Sequence, residues 1–480
     1  MIKEKTNPAL YLLFGIGTIT AAHMTISIDL AGWIASVPFL LYLRNTSGVK
    51  SRLLFLAGLI VAWSFCIVKI VSPPMPFAMV FLFSVPISLF HLPGYLLWDK
   101  FRDRPIGILV FPAAMAVLEW IQYSFTPFAS WGVAAYTQSH TLSMMQAVSV
   151  FGMPGLSFLI YWVNVSVAEL LLKRKTTPLS FQIPVAVTAL FLLYGALRVE
   201  LSKTNGADTI CVAAVGTDSD VTGFPLPSVE KNAAVQRNLF RRTETASQSG
   251  ARIVVWNEAS TFVLPADEKA WKDSLSGLAK RRRVALVAAF IIPLSETPMK
   301  YENKYLFFDS AGTLMYTYHK HQPVPGEPAV KGTEPLQVFD VAGIKAGSVI
   351  CYDYDFPYLA RGFGKLDADL VADPSSDWRG IDPLHTRMAA FRAVEQGHSI
   401  LRSTRFGLSA AITPYGELTA QMSSFDTNDK IMMAYLPVKG AFTFYTLVGD
   451  IFVYLCIGYL LLYTLYKVRR GAGKDPVYIL

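Results

Sequence analysis

The chain has 480 residues, 52% of them hydrophobic and only 16% charged, with a mean hydropathy of +0.38; an ordinary soluble domain carries about 25% charged residues, which argues against a wholly soluble protein. Forty-three Lys and Arg against 35 Asp and Glu give a formal charge of +8, but the basic residues flank apolar runs, which points to membrane topology and not to nucleic acid as a partner. The four cysteines, Cys66, Cys211, Cys351 and Cys456, show no CxxC spacing, which argues against a disulfide framework or a zinc module.

Eight apolar runs approach the roughly 20 helical residues that cross a hydrocarbon core: 9–25, 27–43, 53–71, 76–97, 106–122, 152–172, 181–198 and 447–466. The first follows Lys3 and Lys5, has no small-residue cleavage site and runs directly into the second, so it reads as a retained span and not a removed signal peptide. With the N-terminus inside, the inner loops contain Arg44, Lys50 and Arg52, then Lys100, Arg102 and Arg104, then Lys173, Arg174 and Lys175, and a tail with Lys467, Arg469, Arg470 and Lys474. The outer segments 72–74 and 124–149 contain no Lys or Arg. This asymmetry places both termini in the cytoplasm and the segment from about 200 to 440 outside it. Glu119 and Glu169 fall near the ends of their runs and read as interfacial.

From Ala207 the pattern changes to short apolar strands separated by turns and by charged, helix-compatible stretches, an α/β signature. Strands are predicted at 210–215, 253–256, 284–292, 304–309, 344–351, 370–372, 399–403 and 408–413, and helices at 231–247, 269–282 and 387–395. Asp309-Ser310-Ala311-Gly312 and Thr413-Pro414-Tyr415-Gly416 read as hairpin turns with Gly where positive φ is wanted. Such alternation implies a layered sheet covered by helices. The domain limits are 1–200 for seven helices, 207–438 for the α/β domain, 447–466 for a last helix and 467–480 for a basic tail.

Three polar residues stand at the ends of apolar strands, where side chains emerge into a shared crevice. Glu258 follows Ile253-Val254-Val255-Trp256-Asn257, and a carboxylate desolvated at the mouth of an apolar strand suits a general base. Lys320, before a Pro/Gly-rich loop, offers an ammonium that can stabilise an oxyanion and a nearby thiolate. Cys351 ends an apolar run at a strand-to-loop transition, with the exposure that a nucleophile needs. No His/Cys cluster has ligand spacing, so neither a metal nor an organic cofactor is expected.

The wording around all three resembles the nitrilase superfamily, whose members use a Glu-Lys-Cys triad. Trp256-Asn257-Glu258 resembles its glutamate motif, Lys320-His321-Gln322-Pro323-Val324-Pro325-Gly326-Glu327 its lysine motif with a second glutamate, and Val349-Ile350-Cys351-Tyr352-Asp353 its cysteine motif. Asp373-Pro374-Ser375-Ser376-Asp377-Trp378 and the stretch from His385 to Glu395 resemble two further landmarks. With seven spans before such a domain and one after it, the whole chain resembles the membrane-bound apolipoprotein N-acyltransferase branch. The resemblance implies an α-β-β-α sandwich beside about eight membrane helices, in a bacterial inner membrane with the catalytic domain periplasmic. It implies Glu258 as base, Cys351 as nucleophile, and Lys320 with a backbone N–H near Tyr352 as oxyanion donors. Glu327 and Asp353 are supporting residues by the same analogy. The implied partners are a glycerophospholipid acyl donor, a diacylated lipoprotein acceptor and membrane lipid.

The chain departs from the family wording where Asn257 replaces a Pro, where Asp353 replaces a Glu, in a lysine loop one residue shorter, and in a first strand without Gln-Gly-Asn. Loops 220–230, 322–335 and 355–366 read as candidate apolar lids. Two other readings stay open at this point: a membrane-anchored amidase that uses water, and a catalytically silent relative that binds lipid or lipoprotein.

Overall fold

The computed structural model describes residues 7–25, 27–71, 76–101, 107–172, 178–204, 208–222 and 225–471. It divides into two compact units, Met1–Gly195 with Leu447–Leu480, and Ala196–Thr446.

The first unit is helical. Among the described residues five helices of the chain are long and apolar enough to cross a membrane: Val49–Ile67, Met79–Phe101, Gly107–Phe125, Val148–Leu171 and Gln182–Lys203, the last running past the division at Gly195. Pro8–His23 and Ile451–Tyr466 are apolar but shorter. The run 27–43 is not one helix; it divides into Asp29–Gly32 and Val37–Asn45. Pro38 sits in the first turn of the second piece, where its missing N–H is no loss. The exposed backbone at the break is taken up by Asn164, whose Nδ2 donates to the Gly32 carbonyl (2.9 Å) and whose Oδ1 accepts from the Ser36 N–H (2.7 Å). A buried backbone group needs such a partner. The expectation of eight full-length spans is therefore matched by five long helices among the described residues, and the full set of eight is not confirmed. Glu119, read as interfacial, is buried within the protein, and its Oε1 accepts from the Ala134 N–H (2.9 Å) and the Tyr161 hydroxyl (2.8 Å). Of the positions used for charge counting, 72–74, Arg102, Arg104, Lys173, Arg174, Lys175 and Lys474 lie outside the described residues.

The second unit contains twelve strands among the described residues: β1 Thr209–Val215, β2 Ile253–Trp256, β3 Ala285–Glu296, β4 Met299–Phe308, β5 Leu314–His319, β6 Phe339–Val341, β7 Ile344–Ser348, β8 Leu370–Ser376, β9 Ser399–Arg405, β10 Leu408–Ile412, β11 Leu418–Ser423 and β12 Ile431–Pro437. They form two six-stranded sheets, ordered β12-β1-β2-β3-β4-β5 and β11-β10-β9-β8-β7-β6. β1, β2 and β3 run parallel, as do β7, β8 and β9. Parallel neighbours need crossover connections, here helices, and each sheet carries two: Val229–Gln248 and Glu268–Arg282, then Pro357–Lys365 and Leu384–Gln396.

The inner faces pack Val212, Val255, Val287 and Tyr305 of the first sheet with Ala346, Leu370, Leu401 and Ala411 of the second. The outer face of the first sheet, with Ala213, Val254, Trp256 and Leu286, packs on Leu239, Trp271, Leu275 and Leu278 of its helices. Each fully buried Val or Leu contributes roughly 1.5–3 kcal/mol. Strands buried on both faces read as the continuous apolar runs seen in the sequence. The result is the nitrilase-like helix-sheet-sheet-helix arrangement. The four strands that the sequence did not signal, β5, β6, β11 and β12, are the four sheet edges. Their half-exposed residues dilute the apolar pattern. Both predicted hairpin turns form, with Gly312 and Gly416 at φ +84° and +82°.

Candidate active site

Three strand ends meet at the site. After β2, Asn257 donates its backbone N–H to the Val215 carbonyl (3.1 Å) and accepts on Oδ1 from the Thr217 N–H (2.7 Å), tying the end of β2 to the end of β1. That is the work of the residue that replaces the family's proline, and it delivers Glu258 in the next position. After β5, the Lys320 N–H donates to the Asn303 carbonyl of β4 (2.8 Å). After β7, Cys351 opens a short 3₁₀ helix, Cys351–Asp355, with φ +49°. A non-glycine residue holds that conformation only when its surroundings fix it. Here the Cys351 N–H donates to Asp373 Oδ1 (3.0 Å), and the Asp353 N–H closes the turn on the Ile350 carbonyl (3.0 Å).

The side chains are deeply buried: Glu258, Lys320 and Cys351 have relative exposures of 3%, 2% and 3%. Lys320 Nζ lies 2.8 Å from Glu258 Oε1 and 2.8 Å from Glu327 Oε2. Asn303 Nδ2 bridges the two carboxylates, donating to Glu258 Oε1 (2.7 Å) and Glu327 Oε1 (3.0 Å). Glu327 also accepts from the Tyr301 hydroxyl (3.3 Å) and the Val324 N–H (2.9 Å). The expectation of an exposed nucleophile is corrected: Cys351 is buried, its Sγ 3.7 Å from the Ser376 carbonyl.

Burial pushes the Cys351 thiol well up, the Glu258 carboxylate adds to this, and the Lys320 ammonium and Arg402 oppose it. Burial works against the Lys320 charge, but Glu258 and Glu327 outweigh it and hold the ammonium well above its usual range. Burial also works against the Glu327 carboxylate, yet Lys320 draws it below its usual value. The arrangement stores a proton on sulfur beside a carboxylate that can accept it and a fixed cation that stabilises the anion left behind.

Tyr352 and Asp353 follow Cys351 in the same 3₁₀ turn. Asp353 Oδ1 accepts from the Gln322 N–H (2.6 Å), and its Oδ2 from the Tyr318 hydroxyl (2.9 Å) and from the His321 and Ile350 N–H groups (each 3.3 Å). It therefore binds the lysine loop to the cysteine turn. Burial lifts its carboxyl to about 7, against these donors. The Tyr352 ring packs edge-on against Phe356, 5.3 Å between centroids. Of the candidate lids, 322–335 is a loop, 355–366 is mostly the helix Pro357–Lys365, and 223–224 of the first lie outside the described residues.

Beside Cys351 lies a buried charged chain; Asp373, Asp377 and His385 belong to stretches that the sequence marked only as landmarks, whereas Arg402 and Asp355 were not among them. Arg402 pairs with Asp373 through Nη1 and with Asp377 Oδ1 through Nη2 (3.0 Å). His385 places Nδ1 on Asp377 Oδ1 (2.7 Å) and Nε2 on Asp355 Oδ1 (3.0 Å). Burial and Arg402 oppose a charge on His385, but the two carboxylates lift it to about 9. Cys351, Asp377 and His385 have donor atoms within 4.8 Å of one another. The donor set already faces a cation of the protein itself, with Arg402 Nη2 3.0 Å from Asp377 Oδ1 and 2.8 Å from His385 Nδ1, which leaves a poor fit for a metal ion. Asn303 and Tyr301 went unnoticed in the sequence. They alternate with Tyr305 on β4, so the i, i+2 recurrence of polar groups on an inward face is the signal that finds them.

Residues 17–166 match the sequence model described as the apolipoprotein N-acyltransferase N-terminal domain, and residues 211–439 match that of carbon-nitrogen hydrolases. Similar curated proteins are the apolipoprotein N-acyltransferases of Borreliella burgdorferi (23% identical, covering 76% of this chain and 72% of the relative), Geobacter metallireducens (24%, 88% and 88%) and Bradyrhizobium diazoefficiens (25%, 82% and 81%). A solved amidase from Nesterenkonia sp. aligns at 19% identity with a TM-score of 0.41, covering 52% of this chain and 96% of that one. The two matched models lie in series along the chain, and the curated relatives run across most of its length; the chain belongs to the apolipoprotein N-acyltransferase family.

Proposed function

We propose that this membrane protein moves a fatty acyl chain from a glycerophospholipid to the α-amino group of a diacylglyceryl-cysteine at a lipoprotein N-terminus, through a thioester on Cys351. The observation that carries the reading is the buried convergence of Glu258 and Lys320 (2.8 Å) beside the Cys351 thiol. Glu258 takes the thiol proton as sulfur attacks the ester carbonyl, and Lys320 with the backbone N–H near Tyr352 stabilises the tetrahedral oxyanion. The ester C–O bond breaks, Glu258 returns the proton to the glycerol oxygen, and a lysophospholipid leaves. The acceptor amine then attacks the thioester carbonyl, Glu258 receives its proton and passes it to the departing Cys351 sulfur, and an amide remains. Glu327 holds Lys320 in place through both steps, and Asp353 keeps the lysine loop and the cysteine turn in register.

Both substrates are lipids of one leaflet, so a site tethered to that leaflet exchanges a three-dimensional search for lateral encounter. The charge asymmetry of the short loops supports an inner-membrane, multi-pass protein with cytoplasmic termini and a periplasmic α/β unit. The test supplies the purified protein with phospholipid and a synthetic diacylated lipopeptide. An amide-linked third chain on the lipopeptide, with lysophospholipid released in equal amount, is expected. Ammonia released from small amides without phospholipid consumption would make the protein an amidase. Neither product, from folded protein, would leave a binding module.

A further inference from the structure

Arg405 ends β9 with a guanidinium only 3% exposed. Its Nε and Nη2 donate to Ser376 Oγ (3.1 and 2.7 Å), Nη1 donates to the Ser219 carbonyl, and Nη2 reaches Thr222 Oγ1 at 3.4 Å. All of these partners are neutral. The one carboxylate, Asp220, stands 3.5 Å away and is 62% exposed, so water screens it. Arg402, on the same strand, shows the contrast: it rests on two fully buried aspartates, Asp373 and Asp377. A guanidinium cannot shed its proton in a protein, and a buried charge without a matched counter-charge is costly. Burial accordingly pulls Arg405 below its ordinary range, with Asp220, Glu258, Tyr301 and Cys351 acting in the other direction.

The position gives that charge a use. Ser376 receives the Arg405 bonds on its hydroxyl and offers its carbonyl to Cys351 Sγ at 3.7 Å, so a single residue separates the cation from the nucleophile. The triad already has its own cation in Lys320. In a glycerophospholipid only the glycerol unit separates an acyl ester from the phosphate, so a donor with its ester carbonyl at Cys351 carries its phosphate within reach of the neighbouring residue. A guanidinium fork matches phosphate oxygens bidentately.

We propose that Arg405 is the anchor for the phosphodiester of the acyl donor, the phosphate taking over the weak contact with Asp220. This rests on the reading of Cys351 as the residue acylated by phospholipid. The shared chemistry is a phosphate oxyanion, and free phosphate is the other source of it.

The test uses the full-length protein, wild type, Arg405→Gln and Arg405→Lys, and follows the Cys351 thioester by intact mass with two donors: phosphatidylglycerol, and a diacyl galactolipid that has no phosphate. Loss of a charge-assisted contact predicts that Arg405→Gln slows acylation from phosphatidylglycerol about ten- to a hundredfold, chiefly through KM. The galactolipid rate falls far less, and Arg405→Lys recovers part of the loss. An equal fall with both donors, or no fall with either, overturns the anchor. If Arg405→Gln does not fold, the Arg405→Lys comparison decides on the same criterion. Inorganic phosphate is expected to compete with phosphatidylglycerol in wild type; stimulation of the galactolipid reaction by it would assign the site to a free anion instead. Absence of a thioester from either donor in wild type would remove the transfer reading and the anchor together, whereas a wild-type thioester with no donor discrimination in the variants removes the anchor alone.

Discussion

Tyr318 donates its phenolic hydrogen bond to Asp353 across 2.9 Å, and through that contact the strand that presents the lysine is fixed to the turn that presents the cysteine. Asp353 is fully buried and gathers three backbone N–H groups as well. Asp353→Ala strands these donors, so a loss of about 2–3 kcal/mol in unfolding free energy is expected. Acylation of Cys351 should fall at least tenfold, because the oxyanion donors and the nucleophile no longer share one frame. Asp353→Asn keeps one acceptor and should lose less on both counts. Thermal unfolding and thioester formation, measured on the same preparations, check the pair.

Among the described residues Lys320 is the cation that bridges Glu258 and Glu327, at 2.8 Å from each. Removing one partner of a buried pair costs more than the pair is worth, about 3–5 kcal/mol, because the remaining charge is stranded. Lys320→Met should therefore abolish acyl transfer and also lower the unfolding midpoint. A Lys320→Met, Glu258→Gln double variant should recover stability without recovering activity. Stability unchanged by Lys320→Met alone would contradict the geometry.

His385 gives the fold a pH dependence of definite sign. Its value of about 9 lies above the ordinary 6.5 through Asp355 and Asp377, against burial and Arg402. A raised value means that the contribution is fully present below about 6.5 and is lost as pH rises through about 9. Its size is on the order of 2–3 kcal/mol. The difference in unfolding free energy between wild type and His385→Gln should shrink steadily from pH 6.5 to 9.5. A difference that stays constant over this range would show that the ring is neutral in the folded protein.

Orientation is testable with single-cysteine reporters in a background where all four cysteines, Cys66, Cys211, Cys351 and Cys456, are Ser. Ser295 is exposed on the β3–β4 hairpin and Ser47 is exposed between Val37–Asn45 and Val49–Ile67. In intact cells a membrane-impermeant maleimide should label Ser295→Cys from outside the cytoplasmic membrane and leave Ser47→Cys untouched until the cells are lysed. The reverse pattern would invert the topology.

The chemistry of the site was more legible than its architecture. Glu258 and Cys351 each follow a largely buried strand, so an apolar run ending in a polar residue marked them, whereas Lys320 follows the edge strand β5 and was found from the wording of its loop. The edge strands β5, β6, β11 and β12 bury one face at most and left no continuous run. The break between Gly32 and Val37 was hidden because both pieces are apolar; what permits it is Asn164, distant in sequence. The same holds for Arg402 and Arg405: adjacent in wording, they differ in whether a buried carboxylate faces them, which only the fold decides. Asp353 was found for its resemblance to a family position, but three of its four donors arrive from the 318–322 segment and give it a positioning role that spacing does not reveal.

The central claim is that Cys351 carries the acyl chain between donor and acceptor. Intact-mass measurement of the full-length protein in phospholipid, with Cys351→Ser beside it, tests this directly. The account predicts a fatty-acyl mass on the wild type alone, released by neutral hydroxylamine and discharged when a diacylated lipopeptide is added. An acyl adduct that persists in Cys351→Ser, or a folded wild type that transfers acyl chains to the lipopeptide without ever forming a hydroxylamine-labile adduct, would contradict it.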